Sequence, residues 1–331
     1  MDGISVIVCT FNGEKRLDST LKHLLNQKCN IQWELVIVDN ASTDATSEFC
    51  KKVLESVNLS FKWRILHEDQ KGLIYARMRG LREALYDVVL YCDDDNSLHE
   101  NYVQLGHELM KRNVKIGALG GFGIPVFEGN KKPIWFDRYS HSFAVGQQSS
   151  HDGKLIEFPA ELYGAGTFLR KEALLNFFDR GFMTIMTGRI GSQLVSGDDV
   201  EWCFLVQLAG YEIWYDHRLT FEHTMPASRM QWNYYLKLKQ GIASGSASLL
   251  PYTCLFKNRK MALICFCLYW FSNLLKFNLM FLRHRFKLSW LPKPIAPETE
   301  LAIIVLRAKA MSYWRSGVKP FQHFIHLRKL L

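Results

Sequence analysis

The 331-residue chain carries eight cysteines, yet it has no C-x-x-C pair and no cysteine–histidine spacing of the kind that holds structural zinc. Cys9, Cys92, Cys203, Cys265 and Cys267 fall inside apolar runs, where cysteine behaves as a small hydrophobe rather than as part of a disulfide framework. No G-x-G-x-x-G follows the first apolar run and no G-x-x-x-x-G-K-[ST] loop occurs, so neither a dinucleotide fold nor a P-loop is supported. A strand-like run at residues 4–9 begins with no secretory leader before it, so a reducing, cytosolic setting is expected. Acids are scarce in the last third. From Gln231 onward 16 Lys or Arg face only Glu298 and Glu300, which leaves 25 basic and 30 acidic residues before that point, about −5 against about +14. The net charge of +9 therefore belongs to the tail, and nucleic acid is not the expected partner.

What the chain does have is 48% hydrophobic residues, enough for a substantial core in one large domain or two. It also has an apolar run, Val88-Val89-Leu90-Tyr91-Cys92, that stops against Asp93-Asp94-Asp95-Asn96. Such a run reads as a strand buried on both faces, with the acids at its carboxyl end, where open α/β sheets bind ligands. Adjacent carboxylates repel one another unless a cation neutralises them, and hard oxygen donors suit Mg2+ or Mn2+, which bring phosphates with them. An acidic turn capping the next helix is the competing account. Residues 4–9, 33–39 and 61–66 repeat the strand pattern, separated by the helical spacing of Leu17, Leu21, Leu24 and Leu25 and followed by a helix that Gly72 opens. This alternation predicts a mostly parallel sheet flanked by helices, with Thr10, Asp39 and Asp93 on one edge around a nucleotide pocket.

Taken in order, Ser5-Val6-Ile7-Val8-Cys9-Thr10-Phe11-Asn12, Val38-Asp39-Asn40-Ala41-Ser42-Thr43-Asp44, Gly72-Leu73-Ile74-Tyr75-Ala76-Arg77 and Asp93-Asp94-Asp95 resemble family-2 glycosyltransferases of the GT-A fold, over residues 1–229. The resemblance implies that Asp39 contacts the nucleotide base, that Thr10 and Asn12 line the same pocket and that Arg77 lies by the nucleotide. It implies further that Asp93, with Asp94, faces the ribose and donor sugar, and that Asp95 holds the metal. Met78 stands where that family usually has asparagine. Structural roles compete at two positions: Asp39 as a helix cap and Arg77 as a surface residue of its helix.

Two glycine-rich pieces follow, Leu119-Gly120-Gly121-Phe122-Gly123 and Tyr163-Gly164-Ala165-Gly166-Thr167-Phe168, and the second resembles the strand beside the donor sugar, which places Gly166 there. Between them residues 127–158 are polar and irregular, with Trp135, Phe136, Tyr139 and Phe143, and are expected to wall the acceptor site. Ser196-Gly197-Asp198-Asp199-Val200-Glu201 then opens a helix. A pair of acids there gains from the helix dipole, but by the resemblance its second member, Asp199, is the catalytic base. Downstream, His223 falls where relatives place a histidine near the metal, and Arg229 suits phosphate oxygens; a purely structural histidine is the alternative.

The tail, residues 231–331, is expected to be helical, basic and amphipathic. Residues 261–282 are nearly long enough to span a bilayer, but polar residues cluster in their second half and Arg283, His284 and Arg285 follow. The expectation is a helix lying in the interface at the inner face of the cell membrane, drawn by anionic lipids; packing on the catalytic domain or on a dimer partner is the alternative. The catalytic unit is expected at 1–230, with a nucleotide half at 1–125 and an acceptor half at 126–230. As a whole the chain reads as an inverting glycosyltransferase that uses a nucleotide sugar, a UDP-sugar foremost, a glycan or lipid-linked acceptor, and Mg2+ or Mn2+. A nucleotidyltransferase and a non-catalytic sugar-nucleotide-binding scaffold are the other readings.

Overall fold

The structure is a computed structural model, and it describes residues 1–155, 158–188, 194, 196–288 and 296–331. Contacts group the chain into two compact units, Met1–Asp179 with Trp202–Ala227, and Arg180–Glu201 with Ser228–Leu331.

The first unit is built on a sheet of nine strands. Strands β1 (Ile4–Thr10), β2 (Trp33–Asp39), β3 (Lys62–His67) and β4 (Val88–Asp93) alternate with helices α1 (Leu17–Leu25), α2 (Thr46–Glu55) and α3 (Leu73–Glu83). These strands pair in parallel in the order β3-β2-β1-β4, as alternating strand and helix patterns require. The central pair is mostly apolar because helices cover both faces: Val6, Ile7 and Val8 of β1 and Leu35, Val36, Ile37 and Val38 of β2 are fully buried, and of the buried exceptions Ser5 and Glu34 bond to each other at 2.7 Å. Leu17, Leu21 and Leu24 give α1 a buried face against them, each worth roughly 1.5–3 kcal/mol relative to exposure.

The other half of the sheet is mixed. After β5 (Asn96–Leu98) and α4 (Tyr102–Arg112) come β6 (Ile116–Phe127), the short α5 (Phe136–Tyr139), β7 (Gly153–Lys154), β8 (Thr167–Arg170), α6 (Lys171–Phe178), α7 (Asp198–Leu208) and β9 (Glu212–Met225). The order continues β4-β8-β6-β9-β5, with β7 also on β9. The β6–β9 pair is parallel, whereas β8, β5 and β7 run antiparallel to their neighbours. Residues Glu212–Met225 form one 14-residue strand, β9.

The second unit holds α8 (Trp232–Ser244), α9 (Ser246–Lys257), α10 (Leu263–Leu288), α11 (Pro297–Arg315) and α12 (Lys319–Leu330), together with the segment leading into α7. One side of α10 is packed: Phe266 stacks on Phe324 at 4.3 Å, and Trp270 meets Tyr313 and Phe321 edge-on or tilted at 5.5 and 5.2 Å. Its other side is a stripe of Ile264, Leu268, Phe271, Leu275, Leu279, Leu282 and Phe286, all exposed. Their three- and four-residue spacing puts them on one helical face. The stretch Leu263–Phe286, with mean hydropathy 1.4, is long and apolar enough to cross a membrane by length and composition.

Candidate active site

Register alone brings the expected acids together. In the parallel half Thr10 pairs with Asp39 and Cys9 with Asp93, so the polar residues that end β1, β2 and β4 share one sheet edge. The two-residue turn Asp94-Asp95 then leads straight into β5, and Asn96 stabilises it by accepting the Asp93 N–H at 3.2 Å. Strand β5 pairs with β9 so that Asn96 lies opposite His223, while the Thr224 N–H donates to the Asp95 carbonyl at 3.0 Å. This pairing sets His223 Nε2 3.3 Å from Asp95 Oδ1, both side chains nearly buried.

The three acids have different surroundings. Asp94 accepts the Thr10 hydroxyl at 2.7 Å and Arg16 through Nε at 3.2 Å and Nη2 at 2.7 Å. Arg16 also donates to the carbonyls of Phe11 and Asn12, which ties the loop after β1 to the acid turn. Burial, with Asp95 alongside, still pushes the Asp94 carboxyl above its usual range. Asp93 lies 3.6 Å from Arg77 Nη2, and Arg77 is itself buried on α3, its guanidinium over the Tyr91 ring at 5.6 Å. A Cβ at Gly164 would stand 2.5 Å from that guanidinium, so any larger residue there would push the Arg77 side chain aside. Asp95 is the acid that faces an imidazole.

The remaining candidates divide in the same way. Asp39 accepts the Ser42 N–H at 3.0 Å and the Ser47 hydroxyl at 2.6 Å, with His67 Nδ1 3.8 Å away. Asn12, at φ +50°, accepts the Thr43 N–H and gives its own N–H to Ser42 Oγ, joining the loops after β1 and β2. Gly166 has φ +65° and a backbone pressed against Tyr102 and Phe221, and its carbonyl accepts the Tyr102 hydroxyl at 2.6 Å. Arg229 lies in the helical turn Ala227–Met230 beyond β9. Sequence reasoning missed Arg16, whose only hint was a positive charge three residues past Gly13.

A divalent cation fits Asp95 and His223. Ligand atoms 3.3 Å apart are close to the edge of an octahedron with bonds of about 2.1 Å, and one or two protein ligands plus substrate phosphates is how Mg2+ is usually held. The imidazole is compatible with a transition metal such as Mn2+. A separate cluster, Asp152, Asp216 and His217, also has metal-ligand spacing. Its charges are already paired, however: His217 with Asp152 and Arg218 with Asp216, each at 2.6 Å. It stands six residues along β9 from His223, roughly 20 Å at strand rise.

In the second unit Asp198 and Asp199 begin α7, where the unpaired N–H groups of the first turn favour negative charge. Asp198 is buried, with Gly188 against its carboxylate, and Asp199 is partly exposed. Asp199 Oδ1 accepts the Val200 N–H at 2.9 Å.

A family profile described as glycosyl transferase family 2 matches residues 5–174, just over half of the chain. Glycosyltransferase AglE of Haloferax volcanii is 23% identical over 217 residues, 65% of this chain and 64% of that protein, so the match spans less than two thirds of that relative. A glucosyl-dolichyl phosphate glucuronosyltransferase of the same organism is 24% identical over 254 residues, 75% of this chain and 78% of that one. Among solved structures, the mannosyltransferase PcManGT from Pyrobaculum calidifontis, in complex with GDP-Man and Mn2+, superposes with a TM-score of 0.55 at 16% identity, covering 95% of this chain and 87% of the other. TarS 1-349 of S. aureus gives 0.50 at 19% identity, covering 73% and 64%. These likenesses show the GT-A fold.

Proposed function

Because the chain belongs to glycosyl transferase family 2 and is a glycosyltransferase, we propose that it transfers a sugar with inversion from a nucleotide-sugar donor, a UDP-sugar foremost, to a glycan or lipid-linked acceptor. The observation that carries this reading is the convergence of Thr10, Asp39, Arg77, the three acids and His223 on one sheet edge. In the proposed site Asp39, with Thr10 and Asn12 in the same loops, takes the nucleoside. Arg77 and Asp93 flank the diphosphate and ribose. Asp94 holds the loop through Thr10 and Arg16; Gly166 is assigned to the donor sugar, and Arg229, in the second unit, to donor phosphate oxygens. Asp95 and His223 would hold Mg2+ or Mn2+, which when bound takes up the charge of the departing diphosphate. PcManGT, named with Mn2+ and a nucleotide sugar, supports that choice.

Asp199 is the proposed base. The acceptor hydroxyl gives its proton to the Asp199 carboxylate as its oxygen bonds to the anomeric carbon. The bond from that carbon to the phosphate oxygen breaks, and nucleoside diphosphate leaves. A nucleotidyltransferase is less well supported, since the segment after β1 is Phe11-Asn12-Gly13-Glu14 rather than a basic glycine-rich loop.

The same proposal places the enzyme at the inner face of the cell membrane. The exposed apolar stripe of α10, beside exposed Lys276, Arg283 and Arg285, suits an anionic bilayer surface, with α10 lying in the interface. A relative named for glucosyl-dolichyl phosphate supports a lipid-linked acceptor. The test is a donor screen that measures nucleoside diphosphate release with Mg2+, Mn2+ or excess chelator. One or a few nucleotide sugars should be consumed only with metal; inorganic pyrophosphate released from a nucleoside triphosphate and a sugar 1-phosphate, with no transfer from any nucleotide sugar, would support the nucleotidyltransferase reading.

A further inference from the structure

Glu201, Tyr252 and His323 form a buried polar cluster that neither donor binding nor metal holding uses. Glu201, on the first turn of α7, is fully buried and accepts donors on both carboxylate oxygens. Oε1 accepts the Ile185 N–H at 3.0 Å and the Tyr252 hydroxyl, and Oε2 accepts the Met186 N–H at 3.1 Å. Tyr252 lies on α9 and is also fully buried; its hydroxyl oxygen is 2.9 Å from Nε2 of His323 on α12. A phenol has one proton to give. Since the Tyr252 proton goes to the carboxylate, His323 is the donor in the second bond, through the Nε2–H tautomer.

The neighbouring backbone closes on the same turn. A Cβ at Gly197 or at Gly245 would stand 2.8 or 2.6 Å from the Met186 methyl, so both glycines make room for that side chain. Gly188, at φ +65°, lies against the Asp198 carboxylate. The segment 185–188 is thus bonded to Glu201 and packed on Gly197 and Asp198 before it and on Gly245. Asp199 and Glu201 are two residues apart on a helix and face different ways, so Glu201 acts on Asp199 through the helix rather than by touching it.

We infer that Glu201, Tyr252 and His323 are positioning residues, a brace through which α9 and α12 set the orientation of the turn that carries Asp199, and hence the turnover of the transfer. This rests on the reading of Asp199 as the base. Burying a carboxylate is costly unless its acceptor sites are filled, and here three donors fill them, all from the second unit.

The experiment compares Tyr252→Phe, Glu201→Gln and His323→Gln with Asp199→Asn in the full-length protein. It reads kcat, acceptor KM, donor affinity and the pH profile of kcat well below each variant's Tm. Tyr252→Phe removes one oxygen and keeps the ring, so it remains informative if Glu201→Gln does not fold. The brace predicts that kcat falls about 10- to 100-fold in Tyr252→Phe, the scale of a misplaced catalytic group. Donor affinity should stay within about 2-fold, and Glu201→Gln should retain more activity than Glu201→Ala because the amide oxygen still accepts one N–H. A lowered Tm with unchanged kcat would make the cluster merely structural and overturn the inference, provided Asp199→Asn is inactive. Full activity in Asp199→Asn would instead remove the base assignment, and the brace with it.

Discussion

Two runs of acids in this molecule differ in what faces them. Asp93, Asp94 and Asp95 are met by cations or potential cations: Arg77, Arg16 and His223. Glu201, three residues into α7 from Asp198, is met by two backbone N–H groups and a hydroxyl. The first arrangement sets positive or potentially positive groups against the carboxylates at the edge where we propose that phosphates and a metal ion bind. The second holds a carboxyl whose nearest basic group, His323 Nε2 at 3.7 Å from Oε1, is itself kept neutral by burial, so burial pushes the carboxyl up to about 7. One set suits the recognition of a charged ligand. The other suits holding a turn in place.

The largest effect that could break this contrast is at the proposed metal ligands, Asp95 and His223. Asp95→Ala and His223→Ala should each weaken metal-dependent donor binding by about 10- to 100-fold or more, as loss of a ligand does. Calorimetric titration of donor with and without Mn2+ checks this, and metal-independent binding at wild-type strength would contradict it.

The stripe on α10 comes next. Replacing Leu268, Leu275 and Leu282 together by Ser should lower binding to phosphatidylserine-containing vesicles by about 10-fold or more, since each exposed leucine carries up to roughly 1.5–3 kcal/mol of burial. Co-sedimentation measures it. A wild-type protein that ignores vesicles and associates with itself through α10 would contradict the membrane reading.

The pH dependence of stability sharpens the comparison further. Glu201 has a folded value of about 7 against an ordinary 4.5, so its contribution is complete below the ordinary value and is lost as pH rises through about 7. Burial, with His326 nearby, pushes His323 down from 6.5 to about 3, so its contribution is present above 6.5 and is lost as pH falls toward 3. Asp198 faces Glu201 and adds to its upward shift. Glu201→Gln should therefore flatten the alkaline fall by about 3 kcal/mol at most, and His323→Gln the acid fall. Urea denaturation between pH 5 and 8 tests the signs (conditions set by the two shifts). The smallest effect belongs to Thr10→Val, which leaves Arg16 on Asp94 and should cost about 1–2 kcal/mol of stability, read by urea denaturation.

Much of the sheet edge was legible in the sequence. Strand-ending Thr10, Asp39 and Asp93 could be read because a parallel register carries equivalent ends to one edge, as the pairing of Thr10 with Asp39 and of Cys9 with Asp93 shows. Arg16 could not be read. It reaches Asp94 across 78 residues, and no periodicity marks such a partner. The order β8-β6-β9 was hidden for a similar reason, since antiparallel β8 enters between β4 and β6 far from its neighbours in the chain. Glu201 looked like one more acid at a helix start. Its partner Tyr252 lies 51 residues on, inside a stretch read only as basic tail.

The central claim is that one carboxylate removes the acceptor proton while a separate metal site holds the donor. It is tested most directly by Asp199→Asn, assayed for sugar transfer and, in parallel, for donor binding with Mn2+. The account predicts that transfer falls by about 10²- to 10⁴-fold, the usual share of a general base, with donor affinity unchanged. Transfer at the wild-type rate would contradict it.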